Sequence, residues 1–515
     1  MEEPISDNKR IAKNTMYLYF RMLITMVVGL FTSRVVLNTL GVEDYGINNV
    51  VGGVVAMFSL ISASISASIS RFLTFELGRG DIEQLKKVFS TSVTIQFIIA
   101  AIIIIIAEIV GIWFINNELI ISPDRLDAAR WVFHCSIISF AVGLISSPYN
   151  ASIVSHERMN VFAYMSILDT ILKLVIVYML YISPYDKLKT FAVLGLATTI
   201  LMRIIYGWYC KRNFEECTYH FTFDKKLLKS MFSFSGWVFI GTTASVLRTQ
   251  GNNILLNIFS GGATINAAAG IATTITSVIS NFTGGFMVAF NPQITKLYAA
   301  QKYEELMALI FRSAKFSTFL LIMLAIPIMI NSEYILQIWL GIVPEHTIPF
   351  INLTILFMIT ETISQPLITA KNATGIIRNY QIVVGGILLL TLPLSYLSLK
   401  LGAPVESVYI ANIITSISAF IARMYMLRGD IPLWSSKKFL IQIFSKIFVT
   451  AIVAAIPPII VARNIDSLLY CLIVSSFVSL CSSAIAILYI GCNSNERIII
   501  ISKVKSTILK FLPTK

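Results

Sequence analysis

Residues 245–262 read SVLRTQGNNILLNIFSGG and place an arginine and a close group of three amides, with a fourth at Asn257, inside an apolar stretch. If the segment is helical, Arg248, Gln250, Asn252 and Asn253 lie close together, with Arg248 and Asn252 on one face at a spacing of four. A forked guanidinium beside carboxamides is a set suited to a polar ligand. The same groups also suit an interhelical hydrogen-bond network, and both readings stand. Arg21, in the first apolar stretch, poses the same choice.

Further ionisable residues sit in apolar surroundings. Arg34, Arg71, Lys173, Arg203, Arg423 and Lys446 join Arg21 and Arg248, against Glu76, Glu108, Asp169 and Glu361. A charge at the centre of a bilayer costs about 2.5–3.5 kcal/mol, so such residues face a bundle interior or a wet cavity. Arg34 and Arg71 are candidates for substrate binding; near segment ends, they and Glu76 can instead snorkel to the interface. Arg203, Arg423 and Lys446 read as snorkelling toward the cytoplasmic side. Asp169 and Lys173, four apart, either neutralise each other or serve a lumen. Glu108 and Glu361 either carry a proton or pair with an arginine of another helix. In SLISASISASISRF (59–72), Ser59, Ser62, Ser66 and Ser70 form a stripe that suits either close helix packing or a hydroxyl-lined wall.

Covalent chemistry has no visible machinery. The six cysteines (135, 210, 217, 471, 481, 492) show no CxxC spacing and read as small buried hydrophobes. Four histidines without HExxH suggest no metal site. No nucleophile–base constellation, cofactor motif or GxxxxGK[ST] loop occurs, so the expectation is a protein that is not an enzyme and does not hydrolyse ATP.

The elements that must position these residues are set by composition. The chain has 515 residues, 56% hydrophobic and 13% charged, with mean hydropathy +0.79. Soluble domains average about 25% charged residues, so most of this surface expects lipid. The net charge of +13 then reports basic loops and not nucleic acid. Fourteen apolar segments are each long enough to span a bilayer as a helix: 14–40, 46–77, 88–115, 130–154, 160–182, 190–210, 231–260, 264–295, 313–338, 347–370, 379–400, 404–428, 438–463 and 466–492. The first is too long for a signal peptide, and the runs are too continuous for barrel strands. The fold class is therefore an all-α integral membrane bundle.

Lysine and arginine favour alternate connections by about four to one, from Lys9, Arg10 and Lys13 through Lys211, Arg212 and Lys225 to the C-terminal lysines. That asymmetry puts both termini in the cytoplasm. The tail NERIIIISKVKSTILKFLPTK reads as an interfacial amphipathic helix on anionic lipid, or else as a disordered basic tail.

The richly charged loop KRNFEECTYHFTFDKKLLKS (211–230) divides two similar halves. LNTLGVEDYGIN (37–48) resembles LNIFSGGATIN (256–266), and RFLTFELGRGDIEQL (71–85) aligns with PQITKLYAAQKYEEL (292–306), both at offsets near 220 residues. Six helices per half give the halves one topology, as in parallel-repeat transporters. The expected organisation is an N-lobe at 1–212, a linker at 213–230, a C-lobe at 231–430, two further helices in 431–495 and a basic tail at 496–515. In such a repeat Arg21 and Arg248, on the first helices of each half, are expected at equivalent places.

LGVEDYGINNVVGGVVAMFSLISASISASISRFLTFELGRGD (40–81) and FNPQITKLYAA (290–300) resemble polysaccharide flippases of the Wzx type from bacterial surface-glycan clusters. These belong to a superfamily that includes multidrug-and-toxin (MATE) exporters and lipid II flippases. The resemblance implies a two-lobed bundle with a central cavity, two added helices like those that border a lipid-tail groove in the lipid II relatives, and cavity arginines at Arg21 and Arg248. It also implies a bacterial inner-membrane transporter that flips a polyprenyl-pyrophosphate-linked oligosaccharide, an O-antigen, capsule or related unit. Anionic lipids, a glycan polymerase and glycosyltransferases are the partners that go with it. The rival reading is a drug exporter coupled to H⁺ or Na⁺, which would be expected to present carboxylates. The first helix has no acid between Asn14 and Val42, and the seventh has none. A third reading, a membrane scaffold for glycan enzymes, leaves the intramembrane charges without a role.

Overall fold

The computed structural model describes residues 7–502 except 57, 118–121, 222–223, 261–262, 341–342, 466–467 and 499–500. Among them the regular structure is helical. Hydrocarbon offers no hydrogen bonds, so each apolar run must satisfy its backbone internally. Twelve helices between Ile82 and Gly491 are long and apolar enough to cross a membrane. The first two of the fourteen expected spans fall on α1 (Asp7–Ala56) and α2 (Ser59–Arg79). Gly41 breaks α1 at φ 82°, ψ 170°, a conformation open to glycine, so the residues beyond it belong to the second span.

Two compact units emerge. The first comprises Met1–Thr243 and Val288–Lys302, and the second Ala244–Met287 and Tyr303–Lys515. The charged linker at 213–230 is therefore not the dividing point. Polar and aromatic contacts hold the start of the seventh helix and the end of the eighth in the first unit: Ser68 Oγ donates to the Met231 carbonyl, Phe72 packs edge-on to Phe234, and Lys296 Nζ meets Glu157 Oε1 at 2.8 Å.

Within the first unit, α3 (Ile82–Asn117), α4 (Leu126–Ser155), α5 (Met159–Ile182) and α6 (Lys187–Asn213) join α1 and α2. Helix α4 packs on α2, α3 and α6, and α1 on α5. The core at one end gathers Val51, Ile115, Val132, Phe133 and Leu188. Local signals start and stop these helices. Asp81 Oδ1 accepts the Gln84 N–H, Asp186 Oδ1 accepts the Lys189 N–H, and Gly80 closes α2 in the left-handed conformation. Of the serine stripe of α2, Ser66 bonds Ser147 at 2.7 Å and Ser59 is exposed, while the neighbouring Ser64 and Ser68 are buried.

Helices α7 (Lys225–Ser260) and α8 (Ala263–Ala299) run from one unit into the other. The second unit continues with α9 (Tyr303–Ile330), α10 (Ser332–Leu340), α11 (Thr347–Thr374), α12 (Arg378–Leu389), α13 (Thr391–Lys400) and α14 (Ser407–Leu427). It ends with α15 (Ser436–Phe439), α16 (Ser445–Arg463) and α17 (Leu468–Ala486). One expected span, 379–400, is divided into α12 and α13 at Leu390. Helix α11 packs on α9 and α14, as α4 packs on α3 and α6. Its core includes Leu321, Phe350, Ile351 and Ile355.

The internal repeat extends to details. Pro148 lies inside α4 and Pro366 inside α11. Positive φ follows α2 at Gly80 and α8 at Gln301, and follows α4 at Glu157 and α11 at Gly375. Arg125, before α4, pairs with Asp186, before α6; His346, before α11, pairs with Glu406, before α14. Each unit thus ties the same two helix starts together through a polar side-chain pair.

Candidate functional site

In the second unit α7, α11, α12 and α14 bring a polar cluster together. Arg248 is 8% exposed, and its guanidinium lies 4.8 Å from the centre of the Phe357 ring. Its Nη1 is 4.0 Å from Glu361 Oε1, the outer limit of an ion pair. Glu361 Oε1 also accepts a 2.7 Å hydrogen bond from Ser416 Oγ. Arg423, 3% exposed, donates from Nε to the Tyr380 hydroxyl at 3.3 Å. Nη1 of Arg248 and Nη1 of Arg423 are buried without a hydrogen-bond partner. Arg248 thus reaches Glu361 of α11 and Arg423 reaches Tyr380 of α12, both from buried positions in the same unit. Two guanidiniums against one carboxylate leave the cluster with a surplus positive charge.

One turn along α7, Asn252 Nδ2 donates to Asn412 Oδ1 of α14 at 3.2 Å. Its own Oδ1 is buried without a hydrogen-bond partner. Gly251 matters here because a Cβ would lie 2.5 Å from Leu392 Cδ2, so its absence lets α13 approach α7. Arg248 and Asn252 therefore share a face as their spacing requires, whereas Gln250 and Asn253 point to the exposed side. Glu361 meets an arginine of another helix, one of its two expected alternatives.

The other expected site residues belong to the first unit. Arg21 donates to Ser166 Oγ of α5 at 3.3 Å and stacks on Phe162 at 4.7 Å. It contacts α5, while Arg248 contacts α11, the counterpart of α4, so the two arginines do not occupy equivalent places. Arg71 is surrounded by the rings of Phe72, Phe75 and Phe234 at 4.6–5.7 Å. The Arg34 side chain lies outside the described residues. Asp169 and Lys173 form an i,i+4 pair at 2.7 Å, with the lysine side chain 62% exposed. Glu108 pairs with His134 Nδ1 at 2.9 Å.

Arg423 corrects an expectation. Instead of snorkelling it is buried about one turn before the end of α14, where the Tyr380 hydroxyl in the first turn of α12 accepts from its Nε. Its true counterpart is Arg203: each stands seventeen residues after an acidic residue that precedes its helix, Asp186 for α6 and Glu406 for α14. Arg203 stacks 3.9 Å from the centre of the Tyr149 ring, and its Nη1 crosses the space above Gly207 where a Cβ would stand. The acid–arginine spacing is the sequence signal for this pair. Tyr380, Asn412 and Ser416 carry none.

Among the described residues no group of three His, Cys, Asp or Glu could hold a metal ion. Residues 11–296, more than half of the chain, match the family described as polysaccharide biosynthesis protein. The chain belongs to that family. A curated relative of this polysaccharide biosynthesis protein is the uncharacterized membrane protein EpsK of Bacillus subtilis (strain 168), 20% identical over 325 residues. That match covers 62% of the chain and 63% of EpsK, so the chain spans less than two thirds of the relative's length. Among solved structures, a MATE in the straight conformation superposes with a TM-score of 0.70 at 14% identity, over 83% of this chain and 96% of that one. A multidrug resistance MATE family transporter of the MOP superfamily, in an outward-facing conformation, gives 0.70 at 14% identity, over 84% and 97%. A MOP superfamily transporter from Pyrococcus furiosus gives 0.65 at 15% identity, over 83% and 96%. At these identities the likeness concerns the fold: this family member has a MATE-like helical fold.

Proposed function

We propose that this protein is a transporter of the bacterial inner membrane that flips a polyprenyl-pyrophosphate-linked oligosaccharide from the cytoplasmic to the periplasmic leaflet by alternating access. The observation that carries the reading is Arg248 and Arg423, two buried guanidiniums for which Glu361 is the one ion-pair partner among the described residues. Guanidinium forks match the oxygens of a pyrophosphate, and an apolar surround strengthens that attraction. Family membership supplies the polysaccharide context. Asn252 and Asn412 lie on the same helices, α7 and α14, and offer amides to sugar hydroxyls.

Energetically, the direction is downhill. Two negative charges leaving a negative cytoplasm gain about 4.6 kcal/mol per 100 mV, at about 2.3 per charge. Binding must be reversible for release, and Glu361 limits the surplus charge that holds the headgroup. The excess of basic residues on one set of connections supports cytoplasmic termini. A drug exporter for cations finds less support, because the cluster carries an excess of positive charge.

The test is reconstitution in vesicles with a fluorescent polyprenyl-pyrophosphate oligosaccharide, scoring how much label becomes accessible to a lectin outside. Wild type should transfer it, and Arg248→Ala or Arg423→Ala at equal protein level should not. Undiminished transfer by both variants, or efflux of organic cations by the wild type without glycan transfer, overturns the proposal.

A further inference from the structure

We propose that the second unit carries a separate anion site, which takes the phosphate of an acidic membrane lipid at the end where α9 and α16 begin and α17 finishes. The site is a cavity of about 340 Å³ whose polar wall is Arg312, Lys315, Gln442, Lys446, Asn493 and Glu496. That volume is within the range of about 300–1,000 Å³ usual for small-ligand sites. It is distinct from the Arg248–Arg423 cluster and does not depend on the substrate assigned to that cluster.

The charge balance of the wall selects the ligand. Arg312, Lys315 and Lys446 line the wall with the carboxylate of Glu496, and it is Lys446 whose recorded partner is uncharged. Glu496 is already engaged twice, by Lys315 Nζ at 2.5 Å and by the Asn493 backbone N–H at 2.8 Å. The Lys315 side chain is 4% exposed, so this pair is structural. Lys446 Nζ instead donates to the neutral side-chain oxygen of Asn493 at 2.5 Å. Its charge is held in the pocket by an amide, which an incoming oxyanion can displace. Basic pockets between membrane helices are suited to acidic lipid headgroups.

The backbone is shaped for the same purpose. Both added helices widen into π-helical turns at this end, Leu440–Phe444 leading into α16 and Ile487–Gly491 following α17. Such turns are rare and concentrate at functional sites. The first carries Gln442 and the second leads to Asn493, so both wide turns contribute to one wall. Arg497 reinforces the second by donating to the carbonyls of Leu488 and Tyr489.

Location separates a lipid from a free anion. Ile441, Phe444 and Phe448, beside the pocket on the same helical stretch, are 58%, 46% and 59% exposed. An amphiphile can place its phosphate in the pocket and its chains along this apolar face. A soluble phosphate uses only the first of these features.

The experiment uses purified full-length protein and native mass spectrometry with phosphatidylglycerol or phosphatidylcholine at equal concentration. Wild type should retain phosphatidylglycerol selectively, and Lys446→Gln and Arg312→Gln should each weaken retention about fivefold. Lys437→Gln/Lys438→Gln, outside this pocket, should not. Equal retention of the two lipids, or no loss in either pocket variant, overturns the assignment. A photoreactive phosphatidylglycerol on wild type provides a readout independent of variant folding. Labelling concentrated on peptides of α9, α16 and α17 supports the site, and labelling spread evenly over all helices refutes it. Inorganic phosphate is the remaining arm: if it shields Lys446 from acylation and phosphatidylglycerol does not, the site belongs to a free anion and the lipid assignment fails.

Discussion

Arg248 Nη1 lies 4.0 Å from Glu361 Oε1, and the same oxygen accepts a hydrogen bond from Ser416. The carboxylate therefore tempers the positive cluster without locking the guanidinium into a close bidentate pair. Replacing Glu361 by Gln keeps the shape and removes the counter-charge. Stability should fall by about 0.6–2 kcal/mol, the scale of polar interactions between membrane helices. Pyrophosphate affinity, measured by calorimetry on the purified protein, should rise. A fall in affinity would mean that Glu361 orients Arg248 for binding instead of restraining its charge.

Asp169 and Lys173 sit one turn apart with the lysine largely exposed, the arrangement of a self-neutralising helical pair. Exposed pairs at this spacing contribute about 0.3–0.5 kcal/mol. The double variant Asp169→Asn/Lys173→Gln should retain at least half of wild-type transfer in the vesicle assay and melt within a few degrees of it. Loss of transfer with an unchanged melting temperature would assign the pair a part in ion coupling.

The sequence makes the helical class and the repeat legible because apolar runs and turn signals are local. The site is legible only in part. Arg248 and Asn252 declare themselves through their spacing on one helix, but their partners come from α11 and α14, more than a hundred residues away. Nothing local distinguishes Tyr380 from other tyrosines. Arg423 reads as a residue able to reach the interface, since burial is decided by the neighbours and not by the helix itself. Arg21 and Arg248 read as equivalent because both occupy first helices, yet position within those helices turns them toward different neighbours. The acid–arginine register shared by α6 and α14 is the better guide, because it is anchored at both helix starts.

Gly78 lies against the backbone of Lys296, where a Cβ would come within 2.7 Å of Cα and 2.8 Å of the carbonyl oxygen. Backbone cannot swing aside as a side-chain tip can, so α2 and the end of α8 must separate. Gly78→Ala should cost about 1–3 kcal/mol, as overpacking does. Gly143, inside α4, has nothing within 4 Å of its Cβ position, and Gly143→Ala should be neutral or stabilise by up to about 1 kcal/mol. Thermal melts of the two variants in one detergent give the comparison; equal melting temperatures would contradict the packing described between α2 and α8.

Arg125 draws Asp44 and Asp186 together at one end of the first unit, with hydrogen bonds of 2.8 Å to Asp44 Oδ1 and 2.7 Å to Asp186 Oδ2. Partial burial works against the charged form of Asp186. The Lys189 N–H and the Arg125 guanidinium outweigh it and hold the carboxyl below its usual value of 3.8. A carboxyl depressed in the folded state contributes its stability above the unfolded value and loses it as pH falls through the folded value. The contribution of Asp186 should thus be complete at pH 7 and should disappear below about pH 4. Asp186→Asn should lower the melting temperature at pH 7, with the difference from wild type shrinking as the pH approaches 3. Melting curves across that interval check the sign: a gap that widens toward acid would show that Asp186 is better accommodated neutral and that Arg125 relies on Asp44 alone.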